Sequence, residues 1–161
     1  DNRLAGSQQS HTFFGRDVYA YTGARLASAQ IEFEQLGPVL PKLVRLKIER
    51  ARLEGTTLIG SIDIHDSRYG SLWTNIGNEF LEQLGVGWGD QLQVVITKDG
   101  RIVYGYHLTL CKAFTDVQKG EPLIYVNSLL KLAVAVNQGS FAATYQIGTG
   151  EGWKITFSVV S

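Results

Sequence analysis

The sequence predicts a mainly β fold: an antiparallel β-barrel domain with short helices, preceded by a terminal helix left from an N-terminal α/β domain. Two observations lead to this prediction. In residues 43–161, short segments rich in β-branched residues are separated by turn residues. Before them, residues 12–17 (Thr-Phe-Phe-Gly-Arg-Asp) have the form of a strand-to-helix turn and lead into a helical pattern.

A helix is predicted over residues 16–28. Val18, Tyr21 and Ala24 recur at three-residue spacing, and the small alanine and glycine residues between them allow close packing. Only eleven residues precede the strand-to-helix turn, which is too few for the rest of an α/β domain. We therefore expect residues 1–29 to be the C-terminal remnant of such a domain.

The segment that follows this helix has the composition of a connector. Residues 30–42 contain two of the three prolines, Pro38 and Pro41, on either side of a Val-Leu pair. We expect this segment to be a linker and residues 43–161 to be the β-barrel domain.

At least six strands are predicted within the barrel domain, joined by turns and interrupted by two short helices. Residues 98–100 (Lys-Asp-Gly) form a hairpin turn between the second and third strands. Asn78 can cap a helix over residues 79–84, and Ser140 can cap another over residues 141–146. The predicted strands are residues 58–64, 91–97, 101–110, 122–128, 131–136 and 153–160.

Composition excludes several classes of function. Fifteen basic and fifteen acidic residues give no net charge, so a basic patch for nucleic acid is not expected. The one cysteine, Cys111, cannot form a disulfide framework, and a buried structural thiol is favoured over a nucleophile. His11, His65 and His107 lack metal-ligand spacing, so no metal is expected. No membrane span or signal peptide is recognised, and the expected compartment is the cytoplasm.

Residues 66–75 combine a carboxylate, a guanidinium, two aromatic rings and several hydroxyl and amide groups directly after a strand. A flat aromatic ligand could stack on Tyr69 or Trp73 while Ser71 or Asn75 contacts its polar edge. The same residues also fit an exposed turn from which Trp73 enters the core. Composition alone does not separate these two interpretations.

Four blocks in the same order resemble the S-adenosylmethionine hydroxide adenosyltransferases and the related fluorinating and chlorinating enzymes. The first block, T-F-F-G-R-D-V-Y-A-Y, is similar to the family motif T-F-H-G-R-D-x-F-A. Ordered matches across most of the chain are more specific than any one of them. The blocks are residues 12–21, residues 60–63 with 66–76, Phe114 with residues 120–128, and residues 132–139.

The resemblance implies an N-terminal α/β domain and a C-terminal antiparallel β-barrel, assembled as a homotrimer. The substrate, S-adenosylmethionine, would lie where one subunit's N-terminal domain meets a neighbour's barrel, and no further cofactor is implied. Most of the N-terminal domain would be absent from this chain. The family reaction is attack of water on the C5′ carbon, which yields adenosine and methionine.

The resemblance also implies how the methionine part of the substrate is bound. Asp66 and Ser128 resemble the groups that hold its ammonium, and a carboxylate is the expected partner of a positive charge. Leu129 and Leu130 follow where a more polar, glycine-containing turn is usual in the family. The chain therefore departs from the family at the expected contact of the methionine carboxylate.

The adenine part would be bound by four residues that match the family motifs. Trp73 and Phe114 resemble its aromatic walls, and Tyr69 is a further candidate for stacking. Ser71 occupies the position of the residue that reads the adenine edge, and Gln138 lies where the backbone meets that edge. Together with Asp66 and Ser128, these residues are the predicted substrate-binding site.

Phe14 occupies the position of a histidine in the family motif, so one polar member of the water-handling group is missing. We assign no catalytic residue, and we expect this chain alone to be inactive. The predicted function is the C-terminal, substrate-binding part of a S-adenosylmethionine hydrolase-like enzyme. The alternative is a non-catalytic module that binds adenosine or S-adenosylmethionine, or that serves in trimerisation.

Overall fold

The computed structural model of the chain describes residues 3–45 and 49–160. The chain divides into two compact units, residues 1–46 and residues 47–161. The division expected from the sequence, into a remnant, a linker and a barrel domain, stays a prediction. No helix in the described part of the chain is long and apolar enough to cross a membrane.

The first unit contains the predicted helix near the start of the chain. A π-helical segment, Gly15–Ala20, continues directly into helix α1, Tyr21–Ala27, and a short 3₁₀ helix follows at Phe33–Leu36. Asp17 is fully buried in this unit and accepts a hydrogen bond of 3.0 Å from Nη2 of Arg16. This carboxylate is therefore held inside the unit by a neighbouring guanidinium.

The second unit contains eight strands among the described residues, and they include all six that the sequence predicts. The two additional strands are Arg52–Glu54, named β1, and Leu72–Gly77, named β3. Strand β3 is missed in the sequence because it contains polar residues. One of them is Thr74, whose hydroxyl is buried and donates to the carbonyl of Leu132 at 2.8 Å. The strands are β1 Arg52–Glu54, β2 Thr57–His65, β3 Leu72–Gly77, β4 Gln91–Lys98, β5 Arg101–Thr109, β6 Pro122–Val126, β7 Lys131–Val136 and β8 Trp153–Val159.

The strands form one antiparallel sheet that curves into a nearly closed barrel, as the sequence predicts. Their order is β5-β4-β8-β2-β3-β7-β6, and β1 pairs with β2 outside this path. A parallel bridge between Leu110 and Ile124 brings the two ends of the sheet together. Lys98 pairs with Arg101, so the predicted hairpin turn is confirmed as a two-residue loop. Alternating residues of each strand fill the interior, as Leu58, Leu92, Val94, Ile96, Ile155 and Phe157 do.

Helix α2, Glu79–Leu84, has the predicted bounds and ends at Gly85 in a left-handed conformation. The predicted cap by Asn78 is wrong, because its side chain makes no capping hydrogen bond. The backbone N–H of Asn78 instead donates to the carbonyl of Leu130 at 2.9 Å, which ties this helix start to the β6–β7 turn.

Helix α3, Phe141–Tyr145, begins at the residue that the sequence predicts. Ser140 Oγ accepts a hydrogen bond from the backbone N–H of Ala143 at 3.1 Å, so the predicted cap is confirmed. Phe141 is fully buried and belongs to the barrel core. The start of this helix is therefore fixed against the barrel.

Candidate functional site

A cavity of about 810 Å³ lies in the second unit, within the size range of small-molecule sites. One wall is the turn between β2 and β3, residues 66–71, and another is the segment that follows β7, up to residue 140. Phe114 and Tyr125 complete the lining. Segments far apart in the chain thus converge on one concave surface.

Five of the seven predicted substrate-binding residues line this cavity. Trp73 does not line it, but its indole N–H reaches a residue that does. The roles of all seven residues stay predictions, because the cavity shows their placement and not what they bind. The five lining residues are Asp66, Tyr69, Ser71, Phe114 and Gln138.

Ser128 lies outside the cavity. It is an exposed residue of the turn that joins β6 to β7, whereas Gln138 follows the opposite end of β7. Ser128 is not among the residues that line the cavity, whereas Tyr125, three residues earlier in the chain, is. The pairing of Asp66 and Ser128 around one ammonium therefore stays a prediction.

The side chain of Asp66 organises the β2–β3 turn. Its Oδ1 accepts hydrogen bonds from the backbone N–H of Arg68 at 2.9 Å and of Tyr69 at 3.4 Å. The backbone N–H of Asp66 donates to the carbonyl of Ser71 at 2.9 Å, which closes the turn. Within the described residues no hydrogen bond reaches Oδ2, so this carboxylate oxygen is available to a ligand.

Gly70 joins this turn to the start of α3. Its φ is +66°, and a Cβ at this position would overlap the side chain of Ser140. The carbonyl of Gly70 also accepts a hydrogen bond of 2.9 Å from the backbone N–H of Ala142. The two walls of the cavity are therefore held together by a contact that requires glycine.

The loop that carries Phe114 is fixed at both of its ends. Oδ2 of Asp116 accepts hydrogen bonds from two backbone N–H groups at the start of the loop, those of Lys112 and Ala113, at 2.9 and 3.0 Å. The buried side chain of Asn137 donates through Nδ2 to the carbonyl of Val117 at 3.0 Å. Asn137 thus connects the loop to the segment that follows β7, and Phe114 is held over the cavity.

Tyr125 is a cavity residue that the sequence does not single out. It lies opposite Ala133 of β7, and Ala133 in turn lies opposite Trp73 of β3. Directly paired residues share one face of a sheet, so the two aromatic side chains approach each other over the small Ala133. The indole Nε1 of Trp73 donates to the Tyr125 hydroxyl at 3.0 Å. Only the strand register could have revealed this pair.

The local environment keeps the phenol of Tyr125 protonated. Burial raises the pKa of Tyr125 above its usual value, and the negative charge of Asp66 adds to this effect. Hydrogen bonds from Ser71 and Trp73 lower the pKa, but they do not reverse the shift. Tyr125 is thus a neutral hydrogen-bonding group at neutral pH.

Cys111 has the surroundings of a structural thiol. It is buried with Leu123 and Ala135, and its Sγ lies 3.5 Å from the carbonyl of Thr109. Burial raises the pKa of the Cys111 thiol, which disfavours the thiolate that a nucleophile requires. Among the described residues no group of three His, Cys, Asp or Glu side chains is placed to hold a metal ion.

Phe14, the residue at the family's histidine position, belongs to the first unit and is half exposed. The guanidinium of Arg3 lies 5.2 Å from the centroid of its ring. A phenyl ring can contribute to such a cation–π contact, but it cannot accept or donate a proton.

Residues 60–154 match the SAM hydroxide adenosyltransferase C-terminal domain. The chain is 34% identical over 152 residues to a fluorinase of Actinopolyspora mzabensis, covering 91% of this chain and 49% of the relative. It is 30% identical over 144 residues to the (R)-S-adenosyl-L-methionine hydrolase of Thermus thermophilus, covering 89% and 48%. The chain therefore spans about half the length of the curated relatives it matches.

Solved structures show the same fold. An uncharacterised conserved protein from Thermotoga maritima superimposes with a TM-score of 0.71 and 29% identity, covering 98% of this chain and 57% of that protein. A conserved hypothetical protein from Thermus thermophilus gives a TM-score of 0.52 and 26% identity, covering 92% and 51%. The resemblance that the sequence blocks indicate is thus confirmed by sequence and by structure.

Proposed function

This chain belongs to the SAM hydroxide adenosyltransferase family, and on that premise we propose that its β-rich unit is the substrate-binding part of an enzyme that acts on S-adenosylmethionine. The observation that carries the proposal is the cavity itself. It combines aromatic rings, a carboxylate and strand-end polar groups in about 810 Å³.

The chemistry of the lining suits the two ends of this substrate. Adenine is a flat aromatic ring, and the rings of Phe114 and Tyr125 offer it a stacking surface. The methionine ammonium is positive, and Asp66 offers a carboxylate with Oδ2 available. Ser71 and Gln138 also line the cavity, where they can contact the polar edge of the adenine ring. We assign Ser128 no role within this chain's own cavity.

The proposed reaction is hydrolysis. The oxygen of water bonds to C5′, the C5′–S bond breaks, and its electron pair goes to sulfur, so that methionine leaves as a neutral thioether. The attacking water loses a proton, and the products are adenosine and methionine. Because a sulfonium is already a good leaving group, catalysis depends mainly on an aligned and desolvated water. We propose that the residues which align this water lie outside the cavity described above.

We further propose that the complete enzyme is a trimer in which this cavity is closed by a second domain. The support is the half-length match to the curated relatives together with the resemblance to a two-domain family. On this proposal the isolated chain binds S-adenosylmethionine without converting it. The complete protein would be needed for turnover.

A second candidate is a module that binds adenosine or S-adenosylmethionine and has no catalytic role in any assembly. Phe14 favours it, because a phenyl ring replaces the histidine of the family motif. A purely structural trimerisation module is the third alternative.

The test has two parts, performed on the same chain. Calorimetric titration with S-adenosylmethionine measures binding, and chromatography after long incubation measures adenosine and methionine. We expect binding without product from this chain, and product when the remaining half of the protein is supplied. Product from the chain alone would contradict the expectation that it is inactive. Failure to bind would leave only the structural module.

A further inference from the structure

The aromatic residues near the cavity differ in how they can reach a ligand. Phe114 and Tyr125 line the cavity, whereas Trp73 does not. Trp73 is nevertheless linked to the cavity, because its indole Nε1 donates to the Tyr125 hydroxyl at 3.0 Å. This hydrogen bond gives Trp73 a direct route by which it can act on a ligand through Tyr125.

The hydroxyl of Tyr125 is engaged from two directions. An indole N–H can only donate, so the phenol oxygen is the acceptor in the bond with Trp73. The other partner is the hydroxyl of Ser71, which is 2% exposed and whose hydrogen bond to the phenol lowers the pKa of Tyr125. Both interactions lie within the cavity wall, so the surface that Tyr125 presents to a ligand is its ring.

The ring of Tyr125 is also held from behind and from the side. Its centroid lies 5.1 Å from that of Phe114, with 54° between the two planes. A flat ligand that stacks on one of these rings meets the edge of the other, which is a favourable aromatic arrangement. Tyr125 also packs against the buried cluster of Cys111, Leu123 and Ala135.

We propose that Tyr125 provides the stacking surface for the heterocycle of the bound substrate, and that Trp73 is a positioning residue that acts on the substrate through Tyr125. This inference rests on the proposed function, since the heterocycle is the adenine ring. It reassigns Trp73, which the sequence places among the aromatic walls, and it adds Tyr125 to the site.

Calorimetric titration with adenosine tests the inference, because adenosine contains the ring and lacks the methionine part. Trp73→Phe and Tyr125→Phe each remove one end of the hydrogen bond and keep an aromatic ring. Each variant should weaken adenosine binding roughly 3- to 10-fold, the range of one ordinary hydrogen bond. The double variant should be no weaker than the weaker single variant, because both changes break the same bond. Tyr125→Leu removes the ring and should cost roughly 10- to 100-fold.

Two exposed residues provide matched controls. Trp88 is 50% exposed and Tyr106 is 63% exposed, and neither lines the cavity. Trp88→Phe and Tyr106→Phe remove the same chemical groups as the test variants. Both should leave adenosine affinity unchanged within about twofold, as expected for surface substitutions.

The indole N–H resonances of the three tryptophans provide a second measurement. In the unmodified chain, adenosine should shift the Trp73 resonance, while those of Trp88 and Trp153 stay in place. In Tyr125→Phe the Trp73 resonance should stop responding to adenosine although adenosine still binds. A residue that only stabilises the fold would not show this dependence on Tyr125.

The outcomes separate this inference from the proposed function. Trp73→Phe with unchanged affinity, or losses that add in the double variant, would overturn the positioning role and leave the proposed function standing. Unchanged affinity in Tyr125→Leu would overturn the stacking role. If the unmodified chain binds neither adenosine nor S-adenosylmethionine, both this inference and the proposed function are wrong.

Discussion

The indole N–H of Trp73 donates to the hydroxyl of Tyr125 at 3.0 Å, across the buried Ala133 that pairs with both residues. An alanine between two aromatic residues leaves room for their side chains to meet over one face of the sheet. One small side chain thus controls the geometry of the aromatic wall.

Ala133→Leu should therefore disturb both the fold and the site. The added carbon atoms have no space between the two rings, and we expect the free energy of unfolding to fall by about 1–3 kcal/mol. Adenosine affinity should fall as Tyr125 is displaced. Urea unfolding and calorimetry measure the two effects. Ala143→Leu, on the exposed face of α3, is the control and should change stability by less than about 0.5 kcal/mol.

Gly70→Ala tests the contact that joins the two walls of the cavity. Gly70 and Gly100 both have positive φ, +66° and +80°, but only at Gly70 would a Cβ meet another side chain, that of Ser140. Gly100→Ala should lower the free energy of unfolding by about 1–2 kcal/mol through backbone strain alone. Gly70→Ala should lower the free energy of unfolding by more than this, and it should also weaken ligand binding. If thermal unfolding shows equal decreases in stability, and both variants bind ligand normally, the Gly70–Ser140 contact does not hold the cavity.

Asp17 should give the stability of the first unit a pH dependence. In the folded chain the pKa of Asp17 is lowered, mainly because Arg16 donates a hydrogen bond to its carboxylate. Burial opposes this shift but does not reverse it. Ionised Asp17 therefore stabilises the fold above its unfolded pKa of about 3.9, and this contribution is lost as the pH falls through the lower folded value.

Urea unfolding of the unmodified chain and of Asp17→Asn between pH 2 and pH 7 measures this dependence. The difference in unfolding free energy should be largest near neutral pH and should shrink below about pH 4. Glu34→Gln, an exposed change in the same unit, is the control. A difference between the unmodified chain and Asp17→Asn that does not vary with pH would exclude the proposed electrostatic origin.

Local patterns in the sequence predict much of the barrel but not the details of its site. β-branched runs and turn residues identify six strands correctly, because these signals depend only on neighbouring residues. Strand β3 is not recognised, since Asn75 and Gly77 are residues typical of turns, and the side chain of Asn75 is satisfied by distant groups, among them Ser61 of the neighbouring strand. The role of Tyr125 depends on its register with Ala133, a long-range pairing that no local pattern contains.

The order of the motifs predicts that the chain belongs to the family, but it predicts less about the geometry of the site. Asp66 and Gln138 come together because the β2–β3 turn and the end of β7 lie side by side. Ser128 belongs to a matching block, yet it lies in the turn between β6 and β7 and does not line the cavity. A sequence block therefore indicates which residues the family shares, whereas the strand order decides which of them can contact one ligand.

Asp66→Asn separates the charge of Asp66 from its role in the turn. An asparagine keeps Oδ1, which accepts the two backbone hydrogen bonds of the turn, and removes the negative charge. S-adenosylmethionine should bind roughly 10- to 100-fold more weakly to this variant, because a charged hydrogen bond to the ammonium is lost. Adenosine lacks the ammonium, and its affinity should be unchanged within about twofold.

Calorimetric titration of the unmodified chain and of Asp66→Asn with both ligands tests whether this cavity binds S-adenosylmethionine. We expect saturable binding of S-adenosylmethionine and of adenosine to the unmodified chain, and a loss of affinity in Asp66→Asn that is confined to S-adenosylmethionine. No binding of either ligand at millimolar concentration, or an Asp66→Asn variant that binds S-adenosylmethionine normally, would contradict this expectation.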